Sequence, residues 1–165
     1  MQMQDFRQLV VWGRAHAFAL AVRKCADDFP RAGYADFKAQ LIRAAESIAN
    51  NVVEGCGAAT RKEFARYLDI SIKSTSEVEG QLQLANDQGL IRQGAWDELS
   101  SEVIEIRKML YGLRRALLAA DAAEKRGRRR QKNGKRGNQR RRPERADGSR
   151  SQTPGPNKDS RLTGD

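Results

Sequence analysis

Two cysteines and one histidine are the only thiol and imidazole groups in this chain of 165 residues. Cys25 and Cys56 stand 31 positions apart, without the close pairing that structural zinc or a redox dithiol needs, so they read as reduced thiols of a cytosolic protein. The lone His16 leaves no Glu-x-x-His repeat, and this excludes the di-iron centre that some helical bundles carry. No metal and no cofactor is expected. No stretch approaches about 18 consecutive apolar residues. Met1 to Arg7 offers no basic segment followed by an apolar run and a small-residue cleavage site. Neither membrane spanning nor secretion is indicated, and the expected location is cytoplasmic.

Catalytic signatures are missing as well. No serine has a base beside it by motif, and no cysteine–histidine signature occurs. Gly55-Cys56-Gly57 lacks the Lys-Ser/Thr ending of a phosphate loop and reads as a helix end followed by a turn. His16 stands with Trp12, Ala15 and Ala19 on the inward or interfacial face of the first helix. It is expected to be structural, held by a hydrogen bond through one ring nitrogen. The chain is expected not to be an enzyme.

The last 45 residues lack nearly all apolar side chains. Residues 121–165 hold Leu162 as their one large aliphatic group, and carry 15 basic residues against 6 acidic ones, a net of +9. Burial there cannot offset an ordering cost of roughly 1–2 kcal/mol per residue, so this half is expected to be a disordered tail. Residues 1–120 hold 16 basic residues against 15 acidic ones, a net of +1, with nearly all the large apolar groups. The domain boundary is expected near Ala120.

What the first 120 residues do contain is helical periodicity. Trp96, Leu99, Val103, Ile106, Leu110, Leu113 and Leu117 alternate spacings of three and four. This heptad stripe must be buried against other helices, with Glu98, Glu102, Glu105, Arg107 and Lys108 mostly in water. Three earlier segments share the period. The first runs from Phe6 to Asp28 and stops before Pro30. The second, from Tyr34 to Glu54, ends at Gly55 and Gly57. The third starts at a Thr60–Glu63 capping box and ends at Gly89. Short connections favour antiparallel neighbours, hence an all-α, up-down-up-down four-helix bundle. Polar residues at helical spacing, Asn51 and Glu54 on the second helix with Ser74, Glu77 and Gln81 on the third, are expected to converge. With His16 they make a candidate structural polar network fixing register or a subunit interface.

Between Glu124 and Arg145 twelve basic residues face two acidic ones. Lys125, Arg126, Arg128, Arg129, Arg130, Lys132, Lys135, Arg136, Arg140, Arg141, Arg142 and Arg145 are the candidate nucleic-acid-binding residues. Cations that neutralise phosphates release counterions, giving salt-sensitive binding without sequence preference, and guanidinium groups pair bidentately with phosphate. The tail has no aromatic residue for base stacking. Arg14, Arg23, Lys24, Lys62, Arg66 and Arg92 are further candidates on the bundle surface.

Asp5-Phe6-Arg7, Val11-Trp12, Ala15-His16, Phe29-Pro30, Gln40-Leu41, Arg43-Ala44-Ala45, Ser47-Ile48, Asn51, Glu54-Gly55, Glu63-Phe64 and Gln81-Leu82 stand in one order along residues 5 to 117. In this pattern the chain resembles the 23S rRNA-intervening sequence protein family. The resemblance implies a small non-enzymatic bundle assembling as a homopentameric ring. It also implies kinship with the accessory variability protein of diversity-generating retroelements, which binds nucleic acid and associates with a reverse transcriptase. Ala49 and Asn50 replace the family's common proline and alanine, so its kink is expected to be weaker here. The basic tail is an addition to the family pattern.

Two functions follow as expectations. One is an oligomeric accessory protein that binds RNA or DNA through basic residues. The alternative is a ring-shaped scaffold that docks a larger enzyme, such as a reverse transcriptase.

Overall fold

Four long helices account for nearly all the described backbone in the computed structural model, which covers residues 5–139 and their side chains through Lys132. A short 3-10 turn, Phe6–Gln8, precedes α1 (Val10–Asp27), and α2 (Ala35–Cys56), α3 (Arg61–Asp87) and α4 (Gln93–Gln139) follow. Among the described residues there is no strand. The first helix therefore begins later than Phe6. Asp5 caps the 3-10 turn through the Arg7 N–H at 3.0 Å, and extended Leu9 separates it from α1.

Cross-helix pairs fix the directions. Asp27 takes a 2.7 Å hydrogen bond from Lys38, while Arg23, earlier in α1, pairs with Glu46, later in α2. Along α2 and α3, Gly55 meets Phe64, the Ile48 carbonyl accepts from Ser71 at 2.8 Å, and Ser47 accepts from Ser74 at 3.0 Å. Along α3 and α4, Arg61 pairs with Glu124, Asp69 with Arg114, and Thr75 with Arg107. In each pair of helices one number rises as the other falls, so consecutive helices run in opposite directions.

The core follows the predicted stripes. Leu99, Val103, Ile106 and Leu110 of the heptad seam are buried, with Trp96, Leu113 and Leu117 packed against them half-buried. They meet Val22, Leu41, Ile48, Val52, Phe64, Leu68, Val78 and Leu82 from the other helices. Each such side chain contributes about 1.5–3 kcal/mol on leaving water.

Thr60 Oγ1 accepts from the Glu63 N–H at 3.1 Å, and the Glu63 carboxylate reaches back to the Ala59 N–H at 3.0 Å, one residue before the expected return contact. Gly89, at φ 68°, closes α3 in the left-handed region that glycine enters freely. Gly55 has a different role from the one its position suggests. It lies inside α2, and a Cβ there would stand 2.2 Å from Cδ2 of Phe64, so its missing side chain admits the fully buried Phe64 ring. α2 runs unbroken through Ala49, as the absence of proline implies.

The boundary expected at Ala120 needs correction, because residues 121–139 are helical and belong to α4. Two units divide between Arg128 and Arg129, and the bundle unit includes the stretch up to Arg128. Apolar area was the wrong criterion for this stretch. Ala119, Ala120, Ala122 and Ala123 favour helix intrinsically, and the i,i+4 pairs Asp121–Lys125 and Glu124–Arg128 support it. Residues 140–165, expected as tail, lie outside the described residues.

Candidate nucleic-acid interface

α4 places Lys125, Arg126, Arg128, Arg129, Arg130 and Lys132 on helical backbone with exposed side chains. Lys135 and Arg136 also fall on α4, with side chains outside the described set, and Arg140, Arg141, Arg142 and Arg145 lie outside the described residues. Two of the exposed cations are already engaged. Lys125 donates to Asp121 at 2.6 Å, and Arg128 donates to Glu124 at 2.5 Å.

Glu124 bridges α4 and the start of α3, since its second carboxylate oxygen takes the Arg61 guanidinium. The hydrogen bond from Arg61, followed by the charge of Arg128, holds this carboxyl below the usual glutamate range. A cleft of about 510 Å³ opens beside it, lined by Thr60, Arg61, Lys62, Asp121, Lys125 and Arg128 among others. Four cations against two carboxylates give the cleft a positive balance suited to phosphate.

Lys24, Lys62, Arg66 and Arg92 are exposed on the bundle, as the sequence suggested. Arg14 and Arg23 are committed elsewhere. Arg14 forms a fork on Glu102 at 2.8 and 2.5 Å, with Met109 Sδ 3.6 Å from its third nitrogen, and Arg23 pairs with Glu46. These arginines join helices rather than waiting for a ligand.

The expected polar network separates into parts. Asn51 donates to the Ser47 carbonyl at 2.7 Å and to Ser47 Oγ at 2.9 Å, and Ser74 donates to that same hydroxyl. Ser47 is thus the hub that ties Asn51 to Ser74. Gln81 contacts Glu77 only weakly, at 3.4 Å along α3, and its buried Oε1 has no partner among the described residues. Glu54 is exposed, and its carboxylate takes part in no described hydrogen bond or ion pair. His16, expected on the inward or interfacial face, is not in the core. Its ring is exposed, stacked on Trp12 at 5.2 Å between centroids, and takes part in no described hydrogen bond. One helical step puts Ala15 in the core and turns residue 16 outward.

A second polar cluster was not anticipated. Arg107 Nε donates to Thr75 Oγ1 at 2.9 Å, one Nη reaches the Thr75 carbonyl at 3.3 Å, and that same nitrogen pairs with Glu79. Arg114 meets Asp69 at 2.5 Å as an ion pair without a hydrogen bond's directionality. Arg107 and Arg114, seven apart, both face α3, and the pairing register that puts them there is a property of two helices together.

Burial pushes both thiols above their ordinary range, with Asp28 adding to the effect at Cys25 and Asp5 at Cys56. Neither is poised as a thiolate nucleophile. Among the described residues no three His, Cys, Asp or Glu side chains are grouped to hold a metal ion, and no helix is long and apolar enough to cross a membrane.

A family model described as the 23S rRNA-intervening sequence protein matches residues 7–112. A solved structure, described as a protein with unknown function from the S23 ribosomal protein family of Bacteroides thetaiotaomicron, superposes with a TM-score of 0.59 at 24% identity. The match covers 63% of this chain and 97% of that one, and at such identity it speaks for the fold. No curated protein matches the chain.

Proposed function

Because the chain belongs to the 23S rRNA-intervening sequence protein family, we propose that it is a non-catalytic accessory protein that binds nucleic acid through basic residues of its fourth helix and beyond. The observation that carries this reading is the run Lys125, Arg126, Arg128, Arg129, Arg130 and Lys132, all exposed on helical backbone. Its ligand is the phosphate backbone, shared by RNA and DNA, so affinity comes from counterion release rather than base reading. Helical presentation helps, because part of the backbone entropy that a coil would lose on binding is already lost.

The same reading has the bundle act as a homo-oligomer, with the pentamer as the family's expectation. Val10 and Leu20 on α1 and Ile70 and Leu84 on α3 are large apolar side chains left exposed. A second copy covering such groups would multiply the cationic arms and strengthen weak phosphate contacts through effective concentration. Docking onto a larger enzyme is the alternative use of that surface.

The test replaces the six exposed cations of α4 with glutamine in the full-length chain and measures binding to labelled single-stranded RNA and duplex DNA by fluorescence anisotropy. The reading expects affinity to fall for both, with a shallower salt dependence. Unchanged binding would move the site elsewhere, and absence of binding by the unaltered chain would favour the scaffold.

A further inference from the structure

The aromatic group that the basic tail lacks is present on the bundle. Tyr111, in the middle of α4, is 54% exposed although its helix buries Leu110 completely one position earlier. A shallow cleft of about 500 Å³ surrounds it, lined by Lys108, Gly112, Arg114, Arg115 and Leu118. Three cations therefore rim one exposed ring, and no carboxylate lines the cleft. The acids nearest in pairing lie outside it: Glu105 takes Lys108 at 2.6 Å and Asp69 takes Arg114. Arg115 is exposed and makes no ion pair among the described residues.

Gly112 also lines the cleft. It sits inside a helix, where glycine is unfavourable. Yet a Cβ there would meet nothing within 4 Å, so neither packing nor backbone angle requires it.

An exposed ring and a cationic rim are the elements of a single-strand platform: the base lies on the aromatic face and the phosphates on either side meet the cations. Duplex DNA keeps its bases stacked inside and cannot use the ring. We propose that Tyr111 stacks an unpaired nucleobase of single-stranded nucleic acid, with Arg115 and Lys108 taking the adjoining phosphates. This rests on the nucleic-acid reading above and adds to it a preference for single strands that α4's terminal cations cannot supply. A protein helix is the competing occupant, since Ile104, Tyr111 and Leu118 recur every seven residues. The carboxylate-free cationic rim favours a polyanion over an apolar partner.

The test compares full-length wild type, Tyr111→Ala, Tyr111→Trp and Arg115→Ala for binding to a single-stranded oligonucleotide and to a duplex of the same length. Stacking on one base is worth about 5- to 150-fold in affinity. Y111A should lose that much on the single strand, keep its duplex affinity and keep its salt slope. Y111W should restore single-strand binding, and R115A should lower the single-strand salt slope by about 0.7, one phosphate's worth. Circular dichroism and light scattering of each variant report folding and subunit count. Equal single-strand affinity in wild type and Y111A overturns the proposal while leaving the nucleic-acid reading intact. A change of subunit count in Y111A overturns it in favour of a copy-to-copy contact. Failure of wild type to bind either oligonucleotide overturns both readings together.

Discussion

Arg107 Nε on α4 lies 2.9 Å from Oγ1 of Thr75 on α3, and Thr75 is wholly buried. The hydroxyl is used twice, because it also donates to the Ile72 carbonyl at 2.6 Å. A charged donor thus enters the bundle where its acceptors, Thr75 and Glu79, are already fixed by the helix. Thr75→Val keeps the shape and removes the acceptor. It should cost about 1–3 kcal/mol, read as a lower midpoint in urea with unchanged slope. Stability equal to wild type would mean that the remaining contacts to the Thr75 carbonyl and Glu79 suffice.

Gly55 and Phe64 give a sharper steric prediction. A Cβ at position 55 would stand 2.2 and 2.4 Å from two ring carbons of a fully buried phenylalanine. Gly55→Ala should therefore destabilise the bundle by about 1–3 kcal/mol or more, despite the better helix propensity of alanine. Pairing it with Phe64→Leu should recover part of the loss. If the double variant is less stable than the sum of the two single changes, the clash is not the cause.

Much of this architecture was legible in the sequence, and the exceptions have a common origin. Leu99, Val103, Ile106 and Leu110 declare a buried seam by spacing alone, and Thr60 with Glu63 declares the start of α3. These are properties of one helix. The hub role of Ser47, the Arg107–Thr75–Glu79 cluster and the fit of Phe64 over Gly55 depend on the register between two helices, which periodicity does not encode. His16 shows the limit within one helix, where a neighbouring position, Ala15, took the core. The fourth helix outlasts Ala120 because alanines and local ion pairs sustain a helix that has no core to pack against. Of the candidate interface, the charges were readable, whereas the exposed Tyr111 ring among three cations was not.

The Glu124 clasp predicts an acid response. Arg61 holds the Glu124 carboxyl below its ordinary range, and Lys108 and Lys38 do the same for Glu105 and Asp27. Depressed values mean that the stabilisation is complete above the ordinary carboxylate pKa and is lost as pH falls through the lowered one. Amide exchange of residues 121–128 should therefore stay protected from neutral pH down into the ordinary glutamate range and weaken only below it. Glu124→Gln should reduce protection there already at neutral pH. Equal protection in wild type and E124Q would show that helix propensity alone sustains this stretch.

The central claim is that the cations of α4 bind phosphate, and a salt titration of the full-length protein against labelled single-stranded RNA tests it most directly. The logarithm of the binding constant should fall linearly with the logarithm of salt, at about 0.7 per phosphate neutralised on a single strand. Several phosphates' worth of slope should be seen, and most of it should vanish when Lys125, Arg126, Arg128, Arg129, Arg130 and Lys132 are replaced by glutamine. Binding that ignores salt, or a slope that survives the six replacements, would contradict it.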